Sequence, residues 1–365
     1  MYVDIVETLS VTYAPSGRPL AAFANGSIAF TSKVSGVPDL LLSLRAGSGP
    51  GADKVKRTME RPVFHPCVRL ARWRDHAELS FVPPDGRFVL AGYDVDLLDP
   101  SASPLSAKAS DLNLPASIEM RVGLGATGSD FEVRLFVSHR FYTGSGSNNN
   151  SSASLSSNSA LGSAAASLSN NLGSASRPST LRGNSGEAKA PVLEELTVSI
   201  PVTHAVRNIS DLRATKGEAH WSPGDTSIEW KISAKEAAGI SSAGCVLRCS
   251  VVGASTDEDE DETPFSNGGM KSSTHDYDDD DYQPTSKPST TDSTAKDKRK
   301  KSQNAGLMPS SANLSFGVKG WLASGLKVDA LVIDTKRSKG LGEGVRPYKG
   351  VKYLTVSRKG VEVRC

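Results

Sequence analysis

His65 and Cys67 stand two residues apart, and Cys245 and Cys249 four apart, so the first question is whether these side chains build a metal centre. A closed zinc site draws four nitrogen or sulfur ligands, usually as two close pairs. No second pair at ligand spacing follows His65 and Cys67. Cys245 and Cys249 lie in a segment with strand periodicity, where residues four apart share a face, and they read as small buried apolar residues. Asp276 and the run Asp278 to Asp281 would attract calcium, but they lack the glycine and the terminal glutamate of a structured calcium loop. Gly340-Leu341-Gly342-Glu343-Gly344 has no strand-to-helix context to make it a phosphate cradle and reads as a loop. The chain has no Gly-x-x-x-x-Gly-Lys-Ser/Thr and no Gly-x-Ser-x-Gly. The basic cluster Lys298-Arg299-Lys300-Lys301 has no stacking aromatics around it, so it reads as a solvated run and no nucleic-acid partner is expected. We therefore expect no metal, no cofactor and no enzyme.

The elements that must position any other chemistry are strands. Val3, Ile5, Leu9, Val11 and Tyr13 alternate with Asp4, Thr8, Ser10 and Thr12; Phe131 to Val137, Leu196 to Val202 and Ile228 to Ile232 alternate in the same way. Period two places one face in a core and the other in water, the pattern of antiparallel sheets. Turn formers separate the runs: Pro15-Ser16-Gly17, Ser35-Gly36-Val37-Pro38, Pro83-Pro84-Asp85-Gly86, Ser222-Pro223-Gly224-Asp225 and Ser324-Gly325. No amphipathic helix of four turns is found. The fold class is all-β, a sandwich in two parts.

Two stretches stand outside that pattern. Residues 143–190 are mostly Ser, Asn, Ala and Gly and read as a linker. Residues 253–312 carry the acidic run Asp257 to Glu262, Asp278 to Asp281 and the basic cluster among Ser, Thr and Pro, and read as a disordered insert. The whole chain has a formal charge of +2; the second insert holds −6 and the first +2, which leaves +6 on the part that folds. That excess suits an anionic membrane surface or an acidic partner. There is no apolar run long enough to span a bilayer and no signal peptide at the start. Four scattered cysteines do not make a disulfide framework, and reduced thiols in the cytosol fit better.

The last eighteen residues, Tyr348 to Cys365, read as a hairpin, with Arg358-Lys359-Gly360 as its turn. A strand that runs to the end of the chain argues that this terminus is held in a sheet.

Six segments in order carry a family resemblance: Tyr2-Val3-Asp4-Ile5-Val6-Glu7, Ser35-Gly36-Val37-Pro38-Asp39-Leu40, Phe64-His65-Pro66-Cys67-Val68-Arg69 with Arg72-Trp73, Leu79 to Gly86, Ser324-Gly325-Leu326-Lys327-Val328, and Tyr348-Lys349-Gly350-Val351-Lys352-Tyr353. Together they resemble the mu homology domain of adaptor-complex medium subunits. Phe64-His65-Pro66-Cys67 and Lys349-Gly350-Val351-Lys352 are similar to the versions found in the third adaptor complex. The resemblance implies an immunoglobulin-like β-sandwich of two subdomains, the second inserted into the first: residues 1–98 with 324–365, and residues 99–323, the latter containing both inserts. Other medium subunits begin with a longin-like domain, which is read as absent from this sequence.

For function, the resemblance implies a cargo-recognition domain on the cytosolic face of Golgi or endosomal membranes, serving traffic to the lysosome or vacuole. Its partners would be the other adaptor subunits and cytosolic tails bearing a Tyr-x-x-Φ signal, Φ being a bulky apolar residue. Such a signal is added as a β-strand, and two pockets read alternate side chains. By match to the family, Tyr2, Asp4, Gly350 and Lys352 form the tyrosine site, with Asp4 accepting the phenolic hydroxyl. Val3, Val328, Leu331 and Val351 line the Φ pocket, and the stem of Lys349 closes it. Gly350 stands where other medium subunits have a Trp, and Thr31 where some have a Lys near the hydroxyl. Fewer walls imply affinity of roughly micromolar or weaker. The alternative is a scaffold module of a coat, similar to stonin or coatomer subunits, that binds no tyrosine signal.

Overall fold

The first strand lies beside the last, and the rest of the architecture grows from that pair. In the computed structural model, which describes residues 1–47, 51–98, 112–141, 190–253, 299–341 and 350–365, β1 (Tyr2–Tyr13) runs parallel to β16 (Val351–Arg364). On its other side β1 pairs with β2 (Pro19–Ser32), joined to it by the turn at Pro15-Ser16-Gly17, where the Gly17 N–H donates to the Ala14 carbonyl. β6 (Gly86–Asp96) and β4 (Glu60–Phe64) extend this side. Beyond β16 come β14 (Ser311–Lys319), β9 (Val192–Pro201), β12 (Ser227–Ile232) and β11 (Glu218–His220), completing a nine-stranded sheet.

Two smaller sheets accompany the large one. Strands β15 (Leu326–Ile333), β3 (Leu40–Ala46) and β5 (Glu78–Phe81) form one of them. Phe30 of β2 meets Phe81 of β5 edge to face, with ring centroids 5.1 Å apart, so this sheet covers the β16-β1-β2 region. The other contains β10 (Val206–Ala214), β13 (Cys245–Gly253), β8 (Asp130–Val137) and β7 (Ala116–Leu124), and β7 packs near β14 and β16. The fold is an all-β sandwich, as the alternation predicts. Helices are short: α1 (Ala52–Thr58), α2 (Leu70–His76) and α3 (Ala234–Ala238), each turning one or two apolar side chains such as Val55 and Trp73 into the core.

Two expectations change. The charged insert is shorter than 253–312: Gly253 ends β13, residues 299–305 are helical, and Ser311 and Ala312 open β14. Composition alone marked 299–312 as solvated, but Leu307 is buried; a side chain at Gly253 would sit 2.8 Å from it, so the two insert ends meet. Residues 142–189 and 254–298, the bulk of the two inserts, lie outside the described residues.

The terminal hairpin is also corrected, since β16 is one strand of fourteen residues with a bulge. Thr8 pairs with Val356 and Val11 with Val361, so β16 carries two extra residues against β1; it does the same against β14. Arg358-Lys359-Gly360 has turn chemistry, with Lys359 at a φ of 55°, yet partners on both sides keep the chain going forward. The bulge's donors are satisfied: Lys359 N–H donates to Ser315 Oγ at 2.7 Å and Gly360 N–H to Ser357 Oγ at 3.2 Å. Gly360 is required because a Cβ there would lie 2.2 Å from the Leu9 carbonyl oxygen. We expect Gly360→Ala to lower the unfolding free energy by about 1–3 kcal/mol, the cost of overpacking against a backbone that must shift. Chemical denaturation of the two proteins checks this, and equal midpoints would contradict it.

Candidate functional site

Alternation along β1 divides the N-terminal residues between two faces. Val3 and Ile5 are fully buried, while Tyr2 remains 46% exposed and Asp4 is half-buried on the opposite face. Because β16 runs parallel in the register Val3↔Val351 and Asp4↔Lys352, each pair shares a face. Lys352 thus stands beside Asp4 on the outer face, and Val351 beside Val3 on the inner one. On β2, Thr31 is in register with Tyr2, and Ala29 with Asp4. The structure therefore brings Tyr2, Asp4 and Lys352 to one outer patch.

The inner group gathers at the end of the sandwich. Tyr353 is in register with Ile5 and reaches the smaller sheet, where its hydroxyl accepts the Val328 N–H at 3.0 Å. Leu331 is buried opposite Leu42, and Val328 sits opposite Leu44 with part of its surface open. Val351 is likewise only partly covered. Val3 and Leu331 are buried members of the apolar core, and Val328 and Val351 are partly buried against it. Lys349 lies outside the described residues.

Gly350 joins the two groups, its carbonyl oxygen 3.4 Å from the Val3 N–H that donates to it. Its φ of 153° is one that residues with a side chain rarely adopt, although no atom within 4 Å would obstruct a Cβ. A bulky residue here would need the backbone to rotate. β14 ends at Lys319, in register with Leu354, so among the described residues Val351 and Lys352 have no strand partner on that side; the next bond is Gly320 N–H to the Tyr353 carbonyl at 2.8 Å. A short length of open sheet edge thus separates the outer polar patch from the inner apolar one.

Three features were not anticipated from sequence. Arg87 of β6 reaches Asp4, with Nη2 3.4 Å from Oδ2. Arg69 donates from Nη1 to buried Asp39 at 2.7 Å and to Ser80 Oγ at 2.9 Å, tying together three of the resembling segments. Glu7 is fully buried: Tyr93 Oη donates to its Oε1 at 2.9 Å, Ser324 N–H to its Oε2 at 3.1 Å, and Ser324 Oγ to Oε1. Glu7, Gly26 and Tyr93 occupy one row across β1, β2 and β6, and a side chain at Gly26 would be 2.2 Å from the Tyr93 ring. The Tyr93 ring crosses over the glycine to reach the carboxylate. The signal was a glutamate at an inward position of the β1 alternation, two residues from Ile5 and two from Leu9.

The chemistry-bearing residues raised first have structural places. Cys67 N–H donates to His65 Nδ1 at 3.2 Å within one turn, and the His65 ring packs against Phe88 at a tilt of 55°, with centroids 4.9 Å apart. Cys245 and Cys249 are buried on β13, and loss of hydration pushes their thiols up to about 11 and about 12. Among the described residues no group of three His, Cys, Asp or Glu could hold a metal, and no helix is long and apolar enough to cross a membrane.

Comparison with known proteins gives the family of the chain. The family model described as the adaptor complexes medium subunit family matches residues 1–365. The chain belongs to that family. It is 37% identical over 109 residues to AP-3 complex subunit mu-2 of Rattus norvegicus, a match covering 30% of this chain and 24% of that protein. It is 30% identical over 122 residues to AP-3 complex subunit mu of Schizosaccharomyces pombe, covering 33% and 26%. The matched segments thus span about a quarter of the length of these curated relatives. In fold it is similar to a homology model of the full-length AP-3 complex in an intermediate open conformation, with a TM-score of 0.52, 18% identity, and coverage of 100% of this chain and 68% of that one. The resemblance of the Phe64 to Cys67 and Lys349 to Lys352 segments to the third adaptor complex agrees with these AP-3 relatives.

Burial holds the Glu7 carboxyl above its ordinary value of 4.5, against the bonds from Ser324 and Tyr93 that favour the charged form. A group that binds its proton more tightly when folded contributes stability that is lost as pH rises above the unfolded value. We expect the stability of the wild type relative to Glu7→Gln to fall between pH 4.5 and pH 7. Urea unfolding of both proteins at the two pH values checks the sign; a rise in that interval would contradict the burial argument.

Proposed function

We propose that this chain is a cargo-recognition domain that binds Tyr-x-x-Φ signals in the cytosolic tails of membrane proteins. The observation that carries this reading is the edge at Val351 and Lys352, open among the described residues, with Asp4 and Lys352 on the outer face of the strand pair and Val351 on the inner face, toward the sheet that carries Val328. An extended peptide alternates its side chains as the strand does. Added at this edge, it would bond backbone to backbone while its tyrosine and its Φ residue address opposite groups. Asp4 would accept the phenolic hydroxyl; such a bond to a charged acceptor is worth about 1.5–3 kcal/mol. A leucine covered by Val328 and Val351 would contribute a further ~1.5–3 kcal/mol if fully buried.

Tyr2 would wall the aromatic ring on one side, and Lys352 would supply a cation without the stacking plane of a guanidinium. Gly350 adds no wall, which supports weak binding. The same loss of walls favours the second reading, a coat scaffold that binds no tyrosine signal. We further propose a non-enzymatic protein that works with other adaptor subunits at Golgi or endosomal membranes, in which residues 1–98 and 324–365 form the signal-binding subdomain and residues 99–323 an inserted one. The excess positive charge of the folding part would assist docking on an anionic membrane surface.

Titration calorimetry of the full chain with a Tyr-x-x-Leu peptide tests the reading. Binding at roughly micromolar or weaker is expected, with loss of at least about tenfold for the Tyr→Ala peptide and for Val351→Ser. Because Val351 is only partly covered, its substitution should leave the melting temperature nearly unchanged. Equal binding of the two peptides, or none at millimolar peptide, would favour the scaffold.

A further inference from the structure

Arg87 lies two strands from Asp4, on the far side of β2. Its backbone is in register with Thr31, which is itself in register with Tyr2. Two strand spacings amount to about 9.5 Å, a gap that an extended arginine spans. The side chain can cross because the residues beneath it, Thr31 and Ala29, are small. Its Nη2 ends 3.4 Å from Asp4 Oδ2. Asp4 Oδ1 has no partner among the described residues, and the Arg87 side chain is still 65% exposed. One carboxylate oxygen thus lies near a guanidinium while the other accepts no hydrogen bond among the described residues, and the guanidinium keeps unused donors.

That arrangement suits a group that is donor and acceptor at once. A phenolic hydroxyl donates one hydrogen bond and accepts others, whereas a phenylalanine ring does neither. We propose that Arg87 is a specificity-determining residue of the same slot, reading the hydroxyl of the signal tyrosine together with Asp4. The hydroxyl donates a hydrogen bond to Asp4 Oδ1, and a guanidinium N–H donates to the phenolic oxygen. Arg87 also attracts the carboxylate at Oδ2, which leaves Oδ1 for the incoming hydroxyl. The register explains why the cation is here: Thr31 brings none to this part of the sheet, and the residue paired with it on the next strand supplies one. The inference rests on the proposed function, since it assigns a role within that slot.

Lys352 does not duplicate this role. It stands beside Asp4 on β16, but its ammonium is a point charge, and no contact between it and the Asp4 carboxylate is observed. A plain surface ion pair is the competing account of Arg87, and it predicts no dependence on the peptide's hydroxyl.

The test is a four-way titration of the full chain with Tyr-x-x-Leu and Phe-x-x-Leu peptides. Wild type should bind the tyrosine peptide about tenfold more tightly than the phenylalanine peptide, a difference expected of a site built to bond a hydroxyl. In Arg87→Gln the ratio should fall to about threefold or less, through weaker binding of the tyrosine peptide with the phenylalanine peptide unchanged. Arg87→Lys should recover part of the ratio. In Asp4→Ala the ratio should approach one, and adding Arg87→Gln to it should change nothing further, since the two residues act on one hydroxyl. A wild type that discriminates while Arg87→Gln discriminates equally would overturn the inference and leave the proposed function standing. A uniform loss for both peptides in Arg87→Gln would also overturn it, assigning Arg87 to general charge attraction. A wild type that binds neither peptide would overturn the proposed function and the inference with it. Unchanged melting temperatures should accompany all Arg87 variants, because the side chain is mostly in water.

Discussion

The parallel pairing of β1 with β16 is the constraint from which the rest follows. Among the described residues it is the only parallel pair, every other strand contact being antiparallel. Parallel neighbours cannot be joined by a short turn, so the intervening chain must return the last strand to the first. The register of this one pair decides what the surface presents. With Val3 opposite Val351, Asp4 meets Lys352 outside and the valines meet inside; a slip of one residue would bury Lys352 and expose Val351. The two-residue bulge at Ser357 to Gly360 occurs beyond that point, so the end that carries the proposed slot keeps an unbroken register from Val3 to Thr8.

A buried carboxyl group ties the arrangement together from beneath. Glu7 is five residues into the ladder, on the inner face, where an ionised group without partners would cost far more than the strand could offset. Tyr93, reaching over Gly26, and the Ser324 turn supply those partners from two separate elements. The Ser324-Gly325 turn leads directly into β15, which carries Val328 and Leu331. Sheet and cover are therefore tied at one polar point: the turn that aims the apolar wall is bonded to the strand that carries Asp4.

Much of this was legible in sequence, and the failures have physical causes. Alternation placed β1, β8, β9 and β12, because a half-buried strand writes its burial into every second residue. The turns at Pro15-Ser16-Gly17 and Ser222-Pro223-Gly224-Asp225 needed only local chemistry, and both close with short backbone bonds. Arg358-Lys359-Gly360 misled for the same reason: local chemistry allows a reversal there, and only the long-range partners Leu9, Leu314 and Ser315 turn it into a bulge. Arg87 and Asp4 are 83 positions apart with β2 between them, and no spacing rule relates them. Asp4, Lys352, Val328 and Leu331 were named through resemblance; taken alone, each looks like an ordinary strand residue, and only the register shows which of them share a face.

The edge at Val351 and Lys352, open among the described residues, is a liability as well as an opportunity, since unpaired strand backbone invites any other strand. Here the risk is limited by length, because Gly320 already bonds Tyr353 and β14 takes over from Leu354. It is limited further by the exposed ammonium of Lys352 beside the edge, a common means of discouraging self-association. Backbone bonds from so short a segment hold a guest strand weakly, and selectivity must then come from the side groups. That division of labour fits what stands on each face: a carboxylate held by a guanidinium outside, and two half-covered valines inside. Gly350, with its φ of 153° and nothing near its Cβ position, leaves open the side proposed for the tyrosine. Discrimination in the proposed slot would depend on the few polar atoms that face the guest, which is why a single arginine from two strands away is proposed to decide it.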